Sequence, residues 1–187
     1  LGMTRAFFDH APYHLVGDRS HSYTLSKGKI EEGRFDFDTG ITVANGGLNA
    51  PLGDMEKYVR FLLGGAGTGA GAAVLSRASL EEMWKPVALA ETVGEDRVDM
   101  GLCFFIEKRG ERNLIGHSGS QNGFISHLYL DAAARAGYVV SFNTDATEDV
   151  PVPNTRKLDA EVREFFVANV APVLEAAVAS PPTKGKR

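Results

Sequence analysis

The stretch Arg112-Asn113-Leu114-Ile115-Gly116-His117-Ser118-Gly119-Ser120, running on through Asn122-Gly123-Phe124, decides how this chain is read. One strand is expected to end at Gly116 and another to begin at Gly123. That leaves His117-Ser118-Gly119 at a strand edge. A Gly at such an edge removes the side-chain obstruction and lets a backbone N–H approach a ligand closely. An imidazole and a hydroxyl stand side by side there, and acyl-transfer chemistry uses both groups. Taken alone, such a triplet is most often a plain turn. Its flanks give it weight.

Working outward, short segments rich in Val, Ile, Phe and Tyr follow one another closely: Met100 to Glu107, Asn113 to Gly116, Phe124 to Asp131 and Tyr138 to Asn143. Turn residues separate them, so adjacent antiparallel pairing is expected. Residues 87 to 99 read as a polar connection. Upstream, Met55, Tyr58, Val59 and Leu62 share one face of a helix that begins near Pro51 and stops at Gly64-Gly65. Ser76 or Ser79 caps a second helix with Leu80, Met83 and Trp84 inward and Pro86 at its end. Residues 1 to 50 are mostly loop with short extended pieces. Leu158, Val162, Phe165 and Phe166 form a helical stripe between about Thr155 and Val170, which Pro172 interrupts; Ser180 to Arg187 reads as a solvated tail. The fold class expected is α+β, an antiparallel sheet flanked by helices. Residues 1–177 are expected to be one portion of a domain and 178–187 a flexible tail.

The chain has 187 residues, enough for one domain with a real core. A net charge of −4 gives no basic field for nucleic acid or anionic lipid. No apolar run approaches the length of a membrane span. Cys103 is the only cysteine, which excludes an intrachain disulfide. Beside two Phe residues it is expected to be an inert buried thiol. His10 and His14 are kept off a common helix face by Pro12, and with His21 they are expected to form no metal site. His127, on a strand, is expected to be half-buried and hydrogen-bonded. Gly65-Ala66-Gly67-Thr68-Gly69-Ala70 mimics a dinucleotide fingerprint, but it stands between two helices and not after a strand, so it reads as a surface loop. No cofactor is expected.

Four segments resemble the C-terminal part of the serine β-lactamase and penicillin-binding-protein-like hydrolases, in the branch of class C β-lactamases, esterases and D,D-peptidases. They are Leu1-Gly2-Met3-Thr4 with Phe7-Phe8-Asp9; Gly46-Gly47-Leu48 with the helix at Met55 to Leu63; Val74-Leu75-Ser76 with Leu80 to Trp84; and Met100-Gly101-Leu102 with Gly116-His117-Ser118-Gly119 and Gly123-Phe124. Order and spacing match over roughly Leu1 to Asp145. That family uses a Ser-x-x-Lys nucleophile motif, a Tyr-x-Asn motif, and a Lys-Thr-Gly motif that is often His-Ser-Gly.

The resemblance implies a partial β-lactamase/transpeptidase-like fold lacking its N-terminal portion. It implies a serine hydrolase acting through an acyl-serine intermediate on an ester, amide or β-lactam bond. His117 and Ser118 would be catalytic, and Gly119 and the Ser120 N–H would receive the substrate, the latter as an oxyanion donor. His117 in place of a lysine would hold a substrate carboxylate less firmly. No nucleophile is expected in this chain. The one Ser-x-x-Lys, at Ser26 to Lys29, lies in a Gly-containing loop, and Tyr-x-Asn is absent. The nucleophile would come from a missing N-terminal segment or a complementing chain, which would also cover an exposed sheet edge. The alternatives are a non-catalytic β-lactamase-like binding or assembly domain, or a subunit completed by a partner.

Overall fold

A computed structural model describes residues 1–34, 38–64, 74–93, 96–146 and 154–179. The Gly65–Ala70 stretch and the Ser180–Arg187 tail lie outside the described residues. In chain order the strands are β1 (Phe7–Phe8), β2 (Tyr23–Ser26), β3 (Lys29–Glu32), β4 (Leu48–Asn49), β5 (Ala88–Val93), β6 (Asp96–Met100), β7 (Phe105–Arg109), β8 (Arg112–Gln121), β9 (Phe124–Asp131), β10 (Ala136–Phe142) and β11 (Thr144–Ala146). The helices are α1 (Val43–Gly46), α2 (Leu52–Leu62), α3 (Arg77–Met83), α4 (Thr155–Phe165) and α5 (Ala171–Ala179). Five of the strand-to-strand steps build one antiparallel sheet in the order β10-β9-β8-β7-β6-β5. The fold is α+β, as the pattern of segments implies.

Helices cover both faces of the sheet. On one face, Val59, Phe61 and Leu62 of α2 and Leu80 of α3 join Trp84, Phe104, Ile115, Leu128 and Leu130 in a core. Ser76 caps α3 by accepting from the Ser79 N–H, and Arg77 donates to the Leu62 carbonyl at 2.9 Å while its guanidinium lies over the Trp84 ring. On the other face, Leu114, Tyr129, Ala134 and Ala136 pack against Phe166 and Ala171. Each large apolar side chain so buried contributes about 1.5–3 kcal/mol.

Several expectations are corrected. Ala88–Val93 and Asp96–Met100 are the antiparallel strands β5 and β6, not a connection. Their polar residues, including Arg97 paired with Asp99 at 2.8 Å, suit strands at the margin of a sheet, where one face stays wet. The single strand expected over Met100 to Glu107 is two strands separated by a tight turn. There the Gly101 N–H donates to the Phe104 carbonyl, and a Cβ on Gly101 would stand 2.3 Å from the Met83 carbonyl oxygen. Cys103, in that turn with φ +63°, is exposed.

The C-terminal segment differs most. Helical structure continues past Pro172 to Ala179 because a π-turn at Phe166–Val170 intervenes. The wider turn shifts the ladder, with the Ala171 N–H donating to the Phe166 carbonyl, so that the proline's missing N–H breaks no regular turn. Of the expected stripe only Phe166 is buried; Leu158 and Phe165 are exposed. The buried face of α4 carries Thr155 and Asp159, with Arg163 one turn on. Charge pairing, not apolar periodicity, sets the rotation of this helix.

That pairing is a buried network. Arg163 Nη1 lies 2.8 Å from Glu107 Oε2 of β7, and its Nη2 lies 3.0 Å from Asp159 Oδ2. The Tyr129 hydroxyl donates to Glu107 at 2.5 Å, and His127 Nδ1 lies 2.8 Å from Asp159. Burial works to raise the Asp159 pKa, but the nearness of the His127 ring and of the Arg163 guanidinium outweighs it and holds the carboxyl below its ordinary value. Burial also pushes the Tyr129 hydroxyl up, and the Glu107 carboxylate adds to this.

Two measurements check this architecture. Asp159 stabilises the fold fully above its unfolded pKa of about 3.9, and this is lost as pH falls through its lower folded value. Asp159→Asn is expected to destabilise by about 3 kcal/mol at pH 7 and to flatten the acid limb of a urea-unfolding series. A Cβ on Gly116 would meet the Leu128 carbonyl oxygen at 2.1 Å and the Tyr129 ring at 2.5 Å, whereas Gly119 has nothing within 4 Å. Gly116→Ala should therefore cost about 1–3 kcal/mol, and Gly119→Ala less than about 0.5 kcal/mol, in the same assay.

Candidate active site

The His117-Ser118-Gly119 triplet lies inside a strand, not in a turn. β8 runs ten residues from Arg112 to Gln121, and the turn comes only at Asn122-Gly123. Their φ values of +49° and +82° are those of a two-residue hairpin loop of type I′, for which Asn-Gly is the favoured pair. Other contacts hold this turn. The Asn122 side chain accepts from the Arg34 N–H at 2.9 Å and donates to the Arg34 carbonyl at 2.7 Å. Ser22 Oγ donates to the Asn122 carbonyl.

The two neighbours of β8 end at different places. β9 pairs with it over its length from Leu114 to Gln121, with His117 opposite Leu128, Ser118 opposite His127 and Gly119 opposite Ser126. β7 pairs only from Arg112 to Gly116, because it starts at Phe105. Among the described residues no strand pairs with the other edge of His117 to Gln121.

A two-residue loop is closed by a hydrogen-bonded pair, here Gln121 and Phe124. Alternation along the ladder then makes His117 and Gly119 face β9 with their backbone groups. The N–H and C=O of Ser118 and Ser120 face the open edge. The hairpin at Gly110-Glu111, which joins Arg109 to Arg112, independently requires the same phase. An unpaired row of backbone donors and acceptors at that edge is where an extended ligand adds.

The side chains sort by face. His117 and Gly119 share the face of Ile115, beyond the edge of the α2–α3 core. His117 is exposed, with its ring stacked on Phe105 at 5.3 Å between centroids. Desolvation there lowers the His117 pKa; a hydrogen bond with the Ser118 backbone opposes this and the charge of His127 adds to it. The imidazole is therefore largely neutral at pH 7. At the far end of the bare stretch Gln121 packs on Gly46, where an added Cβ would lie 2.6 Å from the Gln121 amide oxygen. Ser118 and Ser120 occupy the opposite face, and Ser120 Oγ donates to Asp145 Oδ2 at 3.1 Å.

The structure thus brings His117, Ser118, Gly119 and Ser120 to one open edge. It sets Ser26 and Lys29 apart from them, at the mouth of a hairpin turn in which they pair directly, with Lys29 Nζ on Glu31 at 2.7 Å. His127, Asp159 and Asp145 were not expected near the triplet. Their signal was faint: a histidine in an apolar strand, and polar residues four apart on a helix. Among the described residues no group of three or more His, Cys, Asp and Glu is placed to hold a metal, and no helix is long and apolar enough to cross a membrane.

Comparison with solved structures finds three likenesses. The octameric penicillin-binding protein homologue from Pyrococcus abyssi superposes with a TM-score of 0.65 at 21% identity, over 90% of this chain and 35% of that one. The β-lactamase/D-alanine carboxypeptidase from Pseudomonas syringae gives 0.61 at 14% identity, over 90% and 50%. A D-stereospecific amidohydrolase from Streptomyces sp. gives 0.52 at 19% identity, over 74% and 37%. The chain thus spans between about a third and a half of the length of these proteins. No curated protein matches it. The Beta-lactamase family profile matches residues 1–162, across α1 to α3, the sheet and the open edge of β8, and the chain belongs to that family.

Proposed function

We propose that this chain is the third-motif portion of a serine hydrolase that works through an acyl-serine intermediate on an ester, amide or β-lactam bond. The observation that carries the reading is the open edge of β8 at Ser118 and Ser120, in a chain of the Beta-lactamase family. An acyl group lying along that edge would meet the Ser120 N–H. That donor would stabilise the oxyanion of a tetrahedral intermediate, and one such donor is worth about 3 kcal/mol. Gly119 keeps the approach clear, since nothing lies within 4 Å of the place its Cβ would take. The Ser118 hydroxyl supplies a further hydrogen bond. His117, neutral near pH 7, provides a donor or acceptor without a fixed charge, which suits uncharged esters and amides.

The nucleophile and its basic partner come, in this reading, from outside the 187 residues, through a preceding segment or a complementing chain. Residues 1–177 form one portion of the shared domain. The substrate is a small molecule, and the segment that brings the serine covers the bare face at His117 and Gly119.

A fluorophosphonate probe tests the assignment. The 187-residue chain alone is expected to remain unlabelled, and the full-length protein to take one label on a serine outside these residues. Stoichiometric labelling within the chain overturns it. A full-length protein that takes no label points instead to a non-catalytic binding domain. The His117 role has its own check. His117→Lys is expected to tighten binding of carboxylate-bearing ligands at pH 7. The unaltered protein should gain such binding only as pH falls below about 6.5, because its histidine charges there or lower.

A further inference from the structure

We propose that Asp145 is a positioning residue for Ser120. Its carboxylate takes the Ser120 hydroxyl, holds the bare end of β8 by it, and so sets the direction of the Ser120 N–H. The proposal deepens the hydrolase reading and rests on it for what that N–H does to a substrate. The tether itself stands on geometry.

The bare end of β8 needs such a hold. From Arg112 to Gly116 the strand lies between β7 and β9, but from His117 to Gln121 only β9 pairs with it among the described residues. A strand with a partner on one side has fewer bonds to resist twisting and local opening. Two side chains near the turn attach this stretch, one on each face. Gln121 packs on Gly46 on the α2 face. On the α4 face Ser120 Oγ donates to Asp145 Oδ2 at 3.1 Å.

Asp145 is a fixed point. One buried side chain brackets it: Thr155 Oγ1 donates to the Thr144 carbonyl at 2.9 Å and accepts from the Ala146 N–H at 3.0 Å. Thr155 is the first residue of α4 and follows the Asn154 cap. Asp145 also stands opposite Thr24 in the parallel pairing of β11 with β2. Just upstream, the Asn143 carbonyl accepts from the Tyr23 N–H at 2.8 Å, and its side chain donates to the His21 carbonyl at 3.0 Å. A short side chain on a backbone held at both neighbours has little freedom, and that of Asp145 is only 17% exposed. Arg156 Nη2 lies 3.9 Å from the same Oδ2 and partly offsets its charge. Oδ1 is buried and takes no hydrogen bond from the described residues. Among these residues the Ser120 hydroxyl is thus the carboxylate's hydrogen-bond donor.

The consequence reaches the backbone. Ser120 carries its side chain on the α4 face and its N–H at the open edge. A hydroxyl pinned to a fixed carboxylate stops the residue rocking about the strand axis, and with it the swing of the N–H. An oxyanion donor acts only when its hydrogen points at the developing charge, and a displacement of about 1 Å can cost on the order of a hundredfold in rate. No proton leaves Ser120 or Asp145, and no covalent step is involved.

Backbone 15N relaxation in the 15N-labelled chain reads the tether without turnover. Failure here and failure of the hydrolase reading are therefore distinct results. Order parameters at Ser118 to Gln121 are expected to be about 0.85 in the unaltered chain and to fall below about 0.6 in Ser120→Ala and in Asp145→Ala, while Leu114 to Gly116 stay rigid. Ser120→Thr and Asp145→Asn, which keep the hydroxyl and an acceptor, should hold the unaltered values. In the full-length protein each alanine variant should lower kcat for an ester about tenfold with KM little changed, and the double variant should fall no further, because both changes remove one bond. A full-length protein that turns nothing over, with the relaxation pattern intact, counts against the hydrolase reading and not against the tether. Should Asp145→Ala fail to fold, Ser120→Ala against Ser120→Thr still decides. Unchanged order parameters in Ser120→Ala, no recovery in Ser120→Thr, or additive losses in the double variant overturns the proposal.

Discussion

The register between β8 and β9 is the constraint on which the rest depends. It is set by a two-residue turn whose backbone needs two positive φ values, and Asn122-Gly123 meets that need. The turn is held from outside by Arg34 and Ser22, so a slip would break contacts on both sides of the loop. A slip of one residue would also turn His117 onto the α4 face and Ser118 onto the α2 face. With the register fixed, Ser118 and Ser120 present backbone groups to the edge that β7 leaves bare, and Gly116 stands where the Tyr129 ring closes over it.

The second determinant is electrostatic. Glu107, Arg163 and Asp159 form a chain of charges between the sheet and α4, with His127 Nδ1 2.8 Å from Asp159. A buried ion pair adds little net stability when compared with apolar residues of similar volume, but removal of one member strands the others. The network therefore specifies orientation more than it adds free energy. It rotates α4 so that Leu158 and Phe165 face outward and Asp159 faces the strand that carries His127. The helix is amphipathic in a sense that apolar spacing does not describe.

The two glycines of β8 show how one residue type serves opposite ends. Gly116 is required by what is present: a carbonyl oxygen and an aromatic ring occupy the place of a side chain. Gly119 is required by nothing within the described residues, and the space beside it is open. A strand that packs tightly at one glycine and stays bare at the next passes from core to site within three residues. The shortness of β7 causes this change, because the Gly101 turn holds the chain against the end of α3 until Phe105.

The amino-acid sequence on its own determined the class of fold, the helices α2 and α3 with a serine cap at Ser76 or Ser79 for the latter, the β9 segment, and the grouping of His117, Ser118, Gly119 and Ser120. These rest on local rules: periodicity, capping, and the conformational demands of Gly and Pro. It also carried the family resemblance through the order of four short segments. Tertiary structure alone decided that the triplet lies within a strand, since only the early end of β7 makes an edge of it. The parallel pairing of β11 with β2 likewise needs partners more than a hundred residues apart. The same holds for the rotation of α4 and the meeting of His127 with Asp159. An apolar stripe reports burial against something greasy. A buried carboxylate is stable only where a cation and donors from other elements arrive together, and no local window of sequence contains that condition.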